Sequence, residues 1–255
     1  MVSVDRPGVG AGRPTFVTPE LLSRGTQCVL DDQASRHMRV LRLSAGAVVG
    51  LRDGQGGVGA GRIIRLTKSQ AVIEIDETVW LEPPPAVHLL VPVADRDRML
   101  WLAEKCGELG LTSWRPVWWR RSRSVSPRGE GATFQSKVRG RMEGALAQSE
   151  GAWMPQLYPE ATLERALVAA PQGDRMVLDA GGAPVMGRSQ SFAAPVVIAV
   201  GPEGGIEDDE MTALEAAGFS RVRLGSTILR FETAGMAALA IVRSSHISAE
   251  EVRDG

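Results

Sequence analysis

Three consecutive prolines, Pro83, Pro84 and Pro85, divide this 255-residue sequence into two segments with different patterns. Each proline fixes φ and lacks a backbone N–H, so neither a helix nor a central strand can continue through the run. The chain is long enough to form two hydrophobic cores. We therefore predict a domain boundary at the prolines, with one domain over residues 1–82 and a second over residues 86–255.

The first segment is rich in strand-like runs. After a start rich in glycine and proline, strands are predicted at residues 26–30, 47–52, 58–66 and 70–79, with a short helix at 36–43. Asp53-Gly54 is a hairpin-type turn. Closing such strands into a small β-barrel would leave few exposed edges, so we predict a barrel or a compact sheet.

The second segment alternates strands and helices, which is typical of α/β domains. Strands are predicted at residues 86–93, 112–117, 176–179, 196–200 and 221–224. Helices are predicted from Asp95 to 109, at 134–148, 163–169 and 208–217, and from about 233. A parallel sheet covered by helices is the expected result. In such sheets ligands bind beyond the carboxyl ends of the strands, here after Val200 and Leu224.

Composition narrows the class of protein further. Hydrophobic residues make up 44% and charged residues 23%, which excludes disorder of the whole chain. The apolar runs are much shorter than the roughly 18 residues of a membrane span, so we expect a soluble protein with no membrane partner. The two cysteines, Cys28 and Cys106, are far apart and indicate a reducing, cytoplasmic setting. The three histidines are scattered, so no metal is expected.

Basic residues are concentrated between residues 114 and 141, where eight Lys and Arg stand against one acid. Trp114, Trp118 and Trp119 are interleaved with them, a combination that can neutralise phosphates and stack on unpaired bases. RNA is the natural ligand of such a segment, and the alternative is a solvated basic face whose tryptophans belong to a core. The candidate RNA contacts are Arg120, Arg121 and Arg123 here, and Arg36, Arg39 and Arg42 in the first segment.

A glycine-rich loop at residues 201–205 (Gly-Pro-Glu-Gly-Gly) follows the most apolar strand and precedes a helix. Its glycines let the backbone approach a ligand closely. Five acids surround the loop and would repel a pyrophosphate at the helix N-terminus, so a cofactor with a cationic centre and no phosphates fits better. The alternative is an ordinary turn whose acids complement the helix dipole. These acids are Glu203, Glu207, Asp208, Asp209 and Glu210.

A second strand-to-helix loop, from Leu224 to Ala234, can share one ligand with the first. Its Arg230 and Glu232 stand between apolar neighbours, where charges need partners or a purpose. The alternative is a structural ion pair, with Thr233 as a helix cap. The small residues at 234–240 predict a helix that packs closely, either within the core or across a subunit interface.

Taken together, these motifs resemble the RsmE-like ribosomal RNA uracil-N3 methyltransferases of the SPOUT superfamily. The resemblance begins with residues 37–42 followed by Asp53-Gly54, and continues with 104–110, Arg121-Ser122 and Gln148-Ser149. Residues 201–205 and 229–234, each in a strand-to-helix context, are its specific part. Phe231 departs from the family, which usually has a small polar residue there.

The resemblance implies a PUA-like β-barrel that helps to hold RNA, followed by an α/β domain with a deep trefoil knot, and a homodimer. It implies methylation of N3 of a uridine in small-subunit (16S) ribosomal RNA, either as free RNA or as the assembled subunit. Arg230 would then supply electrostatic help, and Glu232 would handle a proton or orient Arg230. S-adenosylmethionine is the implied cofactor, surrounded by Leu178, Gly201, Glu203, Gly204, Ile206, Leu224, Gly225, Ile228 and Leu229.

Two other functions stay open from the sequence. One is a SPOUT methyltransferase that acts on another RNA or another base atom. The other is a non-catalytic RNA-binding factor of ribosome assembly that keeps the scaffold without turnover. Cofactor binding and the identity of the methylated product separate these alternatives.

Overall fold

The computed structural model describes the backbone of residues 13–124, 127–187 and 192–253, and the side chains of these residues except at 123, 124, 187 and 247–253. The chain forms two compact units, and neither is continuous in sequence. The first comprises Met1–Pro83 and Glu143–Met154, and the second comprises Pro84–Met142 and Pro155–Gly255. One helix, Ala132–Ser149, therefore contributes residues to both units.

The first unit contains a five-stranded sheet and one short helix. Its elements are β1 (Thr15–Val17), β2 (Gln27–Leu30), α1 (Asp32–Val40), β3 (Val48–Arg52), β4 (Gly57–Leu66) and β5 (Ala71–Trp80). The strand order is β1-β3-β4-β5-β2, with β1 parallel to β3 and the other described pairs antiparallel. The four predicted strands are confirmed. The sequence does not predict β1, because three residues in a start rich in proline and glycine carry no alternation.

The core of the first unit lies between the sheet and α1. Leu30, Met38, Leu51 and Ile73 are at most 1% exposed there. Helix α1 begins four residues earlier than predicted, because the side chain of Asp31 accepts a hydrogen bond from the backbone N–H of Ala34 and caps the helix. The cap therefore sets the start of the helix, while the apolar pattern alone does not.

Residues 143–154 complete the first unit. The N–H of Met154 donates to the carbonyl of Gly54 at 2.8 Å. The rings of Trp80 and Trp153 meet edge to face, with centroids 5.6 Å apart. A Cβ at Gly56 would lie 2.5 Å from Nε1 of Trp80, so only glycine fits beside this pair. The segment is thus part of the packing of this unit, although it is distant in sequence.

The second unit is built on a parallel seven-stranded sheet. Its strands are β6 (Val87–Pro92), β7 (Ser113–Trp118), β8 (Gln156–Leu157), β9 (Ala161–Thr162), β10 (Asp174–Pro184), β11 (Val196–Val200) and β12 (Ser220–Arg223). Its helices are α2 (Arg96–Glu108), α3 (Ala132–Ser149), α4 (Leu163–Ala169), α5 (Asp208–Ala216) and α6 (Phe231–Arg253), with 3-10 turns at Arg120–Ser124 and Val185–Gly187. The strand order is β12-β10-β11-β6-β7-β8, and β9 also pairs with β7. This confirms the predicted α/β class and parallel sheet.

Strand β10 carries a bulge where it pairs with β12. Its register shifts between Leu178 and Ala183, which both pair with Val222. Residues 179–182 therefore leave the regular ladder at the carboxyl end of these strands. A Cβ at Gly182 would lie 2.6 Å from the backbone of Arg221 and Val222, so the close approach needs glycine. Bulges of this kind re-aim side chains beside functional sites.

Packing in the second unit answers one of the sequence alternatives, that of the tryptophans, and places one small residue of α6. Trp114 and Trp119 are 2% and 1% exposed, so stacking of either ring on bases is the wrong interpretation and the core alternative holds for both. Gly235 of α6 packs inside the unit, since a Cβ there would meet Leu102 of α2 at 3.3 Å, whereas Ala237 and Ala240 of the same helix are only partly buried. Within the described residues, no helix is long and apolar enough to cross a membrane.

Candidate functional site

A cavity of about 510 Å³ lies in the second unit at the carboxyl ends of three neighbouring strands. Leu178 of β10, Val200 of β11 and Val222 of β12 form its apolar floor. The loops that follow β11 and β12 supply most of the remaining wall. A concave, largely apolar space of the size that small ligands occupy therefore lies where the sequence predicts a ligand site, beyond Val200 and Leu224.

The structure brings most of the predicted site residues together. Eight of the nine proposed cofactor contacts line the cavity, namely Leu178, Gly201, Glu203, Ile206, Leu224, Gly225, Ile228 and Leu229. Arg230 lines it too. Gly204 is in the same loop, but its carbonyl accepts a hydrogen bond from Nη1 of Arg121 at 2.5 Å. A Cβ at Gly204 would lie 3.0 Å from Cβ of Arg121, so this glycine makes room for the arginine.

The two loops differ in how tightly they are packed. A Cβ at Gly201 would lie 2.6 Å from Cγ1 of Ile206, so the first loop has no spare room there. A Cβ at Gly225 would meet no atom within 4 Å, and the side chain of Ile228 is 90% exposed. An exposed isoleucine at a cavity mouth offers apolar surface that a ligand would cover.

Arg98, in the first turn of α2, links two acids of this region. It forms an ion pair with Glu203, and its Nε lies 3.9 Å from Oε1 of Glu232. Glu232 is only 9% exposed, and its Oε2 has no hydrogen-bond partner in the described part of the chain. Glu232 therefore approaches the cavity through Arg98, whereas the exposed Arg230 reaches it directly.

The prediction that five acids surround the ligand is wrong. Glu203 lines the cavity, while the other four acids belong to the start of α5. Arg120 donates to Glu207 at 3.2 Å and to Asp209, and its backbone N–H donates to Glu210 at 2.8 Å. These acids raise the pKa of Arg120 above its ordinary value, chiefly through the hydrogen bond to Glu207. The cluster thus complements the helix start and two arginines, since Arg121 also contacts Glu207 at 3.3 Å.

The proposed RNA contacts fall in two places. Arg36, Arg39 and Arg42 are exposed on and just after α1 of the first unit, and Arg36 is paired with Asp32 at 3.4 Å. Arg120 and Arg121 are exposed in the 3-10 turn of the second unit and are engaged by the acids described above. The backbone of Arg123 lies in the same turn, but its side chain is outside the described residues.

Sequence reasoning misses several lining residues, namely Arg98, Asp179, Arg223 and Thr227. Arg98 precedes Gly201 by more than a hundred positions, and only the folded sheet brings α2 to the loop. Asp179 is the last residue of a predicted strand, so the rule that ligands bind at the carboxyl ends of strands could have pointed to it. No group of His, Cys, Asp and Glu side chains able to hold a metal occurs in the described ranges.

Comparison with protein families gives two matches. A model described as an RNA methyltransferase domain matches residues 82–243, and one described as an RNA methyltransferase PUA domain matches residues 30–76. The first covers most of the chain and contains the whole cavity.

Individual relatives agree with the family matches. Ribosomal RNA small subunit methyltransferase E of Synechocystis is 29% identical over 234 residues, 89% of this chain and 76% of the relative. The protein of the same name from Mycobacterium tuberculosis is 26% identical over 242 residues, 89% of this chain and 90% of that one. The crystal structure of this methyltransferase from Neisseria gonorrhoeae, bound to S-adenosyl methionine, has a TM-score of 0.82 and 31% identity. That match covers 91% of this chain and 97% of the other.

Proposed function

The chain belongs to the ribosomal RNA small subunit methyltransferase E family of RNA methyltransferases, and from that membership we propose that it methylates N3 of a uridine in small-subunit (16S) ribosomal RNA. S-adenosylmethionine is the proposed methyl donor. The observation that carries the proposal is the single cavity in which the loops after β11 and β12 bring eight of nine expected cofactor residues together.

The residues of the cavity fit this cofactor. The mouth offers apolar surface at Ile228 and Leu229, and Gly225 leaves open space beside it, so a flat aromatic ring can lie against the second loop. Asp179 and Glu203 are carboxylates at the wall, which suits a ligand that bears hydroxyl and cationic groups. When bound, the cofactor supplies an activated methyl group on a positively charged sulfur. Gly201, Ile206 and Leu224 line the cavity and would hold that group by backbone and apolar contacts.

Arg230 is the proposed catalytic residue. The uracil N3–H must give up its proton to a base or to water as N3 takes the methyl group and S-adenosylhomocysteine leaves, so negative charge develops on the ring. Arg230 lines the cavity and is exposed, so its guanidinium can donate hydrogen bonds to the uracil carbonyl oxygens that take up this charge. Orientation of the two reactants lowers the activation barrier further, since alignment contributes roughly 7–11 kcal/mol in such reactions. The target uridine must be unpaired or flipped out, because pairing covers N3.

Glu232 is proposed to act on the site indirectly. It does not line the cavity, and it contacts Arg98, which does. A carboxylate with one buried oxygen and no hydrogen-bond partner there can accept a proton or hold a nearby cation in place. Its position in the first turn of α6 fixes the start of that helix near Arg98. We assign to it the positioning of Arg98 and of the Glu203 loop, with proton transfer as the alternative role.

The remaining parts of the proposal concern partners and topology. Residues 1–82, with Arg36, Arg39 and Arg42, are proposed to hold RNA, and residues 86–255 to form the methyltransferase domain, with Arg120, Arg121 and Arg123 contacting the same substrate. The PUA-family match supports the first part. We also propose that the C-terminal domain has the trefoil knot of the SPOUT superfamily, and that the enzyme is a cytoplasmic homodimer that acts on free 16S RNA or on the assembled small subunit.

The test is mass spectrometry of nucleosides after incubation with isotopically labelled S-adenosylmethionine. The substrates are intact small subunits and naked RNA from a strain that lacks the enzyme. Labelled 3-methyluridine supports the proposal and shows which substrate is used. Label on another nucleoside would keep the methyltransferase assignment and overturn the N3 specificity. Cofactor binding without label, beside an active control enzyme, would favour a non-catalytic RNA-binding factor.

A further inference from the structure

Asp179 is a cavity residue that belongs to neither of the two ligand loops. It opens the bulge of β10 and lines the cavity next to Leu178. Its Oδ1 accepts hydrogen bonds from the backbone N–H of Gly181 and from Nη2 of Arg221, both at 2.9 Å. These bonds hold the carboxylate from one side. Oδ2 makes no hydrogen bond to any described residue, and the side chain is 26% exposed to solvent.

The bulge is what gives Asp179 this position. In a regular strand it would continue the ladder of β10 against β12, but residues 179–182 lie outside that ladder. Gly181 fits under the carboxylate, since a Cβ there would lie 3.1 Å from Oδ1, and Gly182 allows the close approach to β12. The two glycines therefore fix one carboxylate oxygen and leave the other for a ligand of the cavity.

We infer that Asp179 accepts hydrogen bonds from the cis-diol of the ribose of S-adenosylmethionine, an inference that rests on the proposed function. A carboxylate is the usual acceptor for ribose hydroxyls in nucleotide sites, because it accepts from both hydroxyls and donates to neither. Arg221 already neutralises Asp179, so this side chain offers strong acceptors with little net charge. That combination suits a neutral diol.

The cationic end of the cofactor has a different partner available. Glu203 lies on the first loop, is 39% exposed, and pairs with the guanidinium of Arg98 at the end of a long side chain from α2. Asp179 is less exposed and is fixed by a backbone N–H as well as by Arg221. A rigid acceptor selects a rigid pair of hydroxyls, so the structure assigns the ribose to Asp179.

The experiment is calorimetric binding of two ligands to the full-length wild-type protein and to the Asp179→Asn variant. S-adenosylhomocysteine has both the ribose and the amino-acid end, whereas 5′-methylthioadenosine has the ribose alone. We expect Asp179→Asn to lower the affinity for both ligands by at least about tenfold, which corresponds to about 1.4 kcal/mol of binding free energy. The matched control is Glu215→Gln, which removes a carboxylate 4.0 Å from Nη1 of Arg221 outside the cavity and should leave both affinities unchanged.

A deoxy ligand makes the test independent of folding of the variant. The wild-type protein should bind 2′-deoxy-5′-methylthioadenosine about tenfold more weakly than the ribose form, and Asp179→Asn should reduce this difference to less than about threefold. Equal binding of both forms by the wild type would overturn the inference. A loss confined to S-adenosylhomocysteine would also overturn it, because Asp179 would then bind the ammonium group. Failure of the wild type to bind S-adenosylhomocysteine at all would reject the proposed function itself.

Discussion

Arg98 approaches Glu232 with its Nε 3.9 Å from Oε1, while the same guanidinium pairs with Glu203 of the glycine-rich loop. One side chain of α2 thus connects the start of α6 to the wall of the cavity. Two cavity elements from distant parts of the sequence therefore depend on one arginine.

Replacement of Arg98 by glutamine should destabilise the protein and lower its affinity for the cofactor. Glu232 would lose its cation while its Oε2 stays buried, which costs about 1–3 kcal/mol of unfolding free energy. Urea unfolding measures this loss. In the double variant Arg98→Gln/Glu232→Gln the cost should be smaller than the sum of the two single changes, because the neutral amide needs no counter-charge. Strict additivity would show that the two side chains do not interact.

Replacement of Arg230 by alanine should separate binding from catalysis. The side chain is exposed, so unfolding free energy should change by less than about 0.5 kcal/mol. Affinity for S-adenosylhomocysteine should stay within about threefold, while methyl transfer should fall by about 10²–10³, as expected when a stabilising donor is removed from a transition state. Arg230→Lys should recover part of the rate. If the alanine variant transfers methyl groups at the normal rate, Arg230 has no catalytic role.

Replacement of Gly201 by alanine should displace Ile206. The new Cβ would lie 2.6 Å from Cγ1 of Ile206, which must then move within the cavity wall. We expect cofactor affinity to fall by about tenfold, in line with roughly 1–3 kcal/mol for overpacking. Ile206→Ala removes the clashing atoms, so adding Gly201→Ala to that variant should cost little more. A full additional loss in the double variant would mean that Gly201 is needed for its backbone conformation.

Two surface glycines should respond in opposite directions. A Cβ added at Gly140 or at Gly131 would meet no atom within 4 Å, but Gly131 has φ +81° and Gly140 lies inside α3. Gly140→Ala should raise the unfolding free energy by about 0.5–1 kcal/mol through helix propensity. Gly131→Ala should lower it by about 1 kcal/mol, because an L side chain is strained at positive φ. Thermal unfolding of the two variants, compared with the wild type, measures both changes.

Stability should fall in mild acid because of His88. Burial, and then the charge of Arg243, lower the pKa of this imidazole, whose Nδ1 lies 2.7 Å from Oγ of Ser113. The unfolded chain then takes up a proton at a higher pH than the native chain does. The His88 contribution is therefore lost as pH falls through about 6.5, with a slope of at most about 1.4 kcal/mol per pH unit. Urea unfolding at pH 8 and at pH 5.5 measures it, and in His88→Asn this part of the pH dependence should disappear.

The helices and strands could be predicted from the sequence where prolines, apolar runs or a helix cap mark their limits. The prolines, the apolar strands and the cap at Asp95 predict the alternating elements of the second segment, and the structure confirms them. Strand β1 was not accessible, because three residues have no periodicity. The loops after Val200 and Leu224 were predicted as one ligand site because strand ends meet at one edge of a parallel sheet.

The charges of the site were harder to predict, because pairing is a property of the tertiary structure. The acids at the start of α5 resemble a ligand environment in sequence, yet Arg120 pairs with Glu207 and Asp209 from another part of the chain. Arg98 has no motif around it, and its two partners stand far from it in sequence. The strand-end rule can point to Asp179, but the placement of its carboxylate depends on a bulge that only the pairing of β10 with β12 reveals.

Helix α3 passes from one compact unit into the other, and this limits how the protein can be taken apart. A fragment that ends at Pro83 would carry Gln55 and Trp80 but would lack Trp153, whose ring packs against Trp80. Transplanting the N-terminal unit onto a different catalytic domain would therefore need three junctions instead of one. Recombination between distant relatives at the prolines would mismatch the same tryptophan pair. The first unit therefore cannot be exchanged as one continuous stretch of sequence, because residues 143–154 have to be exchanged with it.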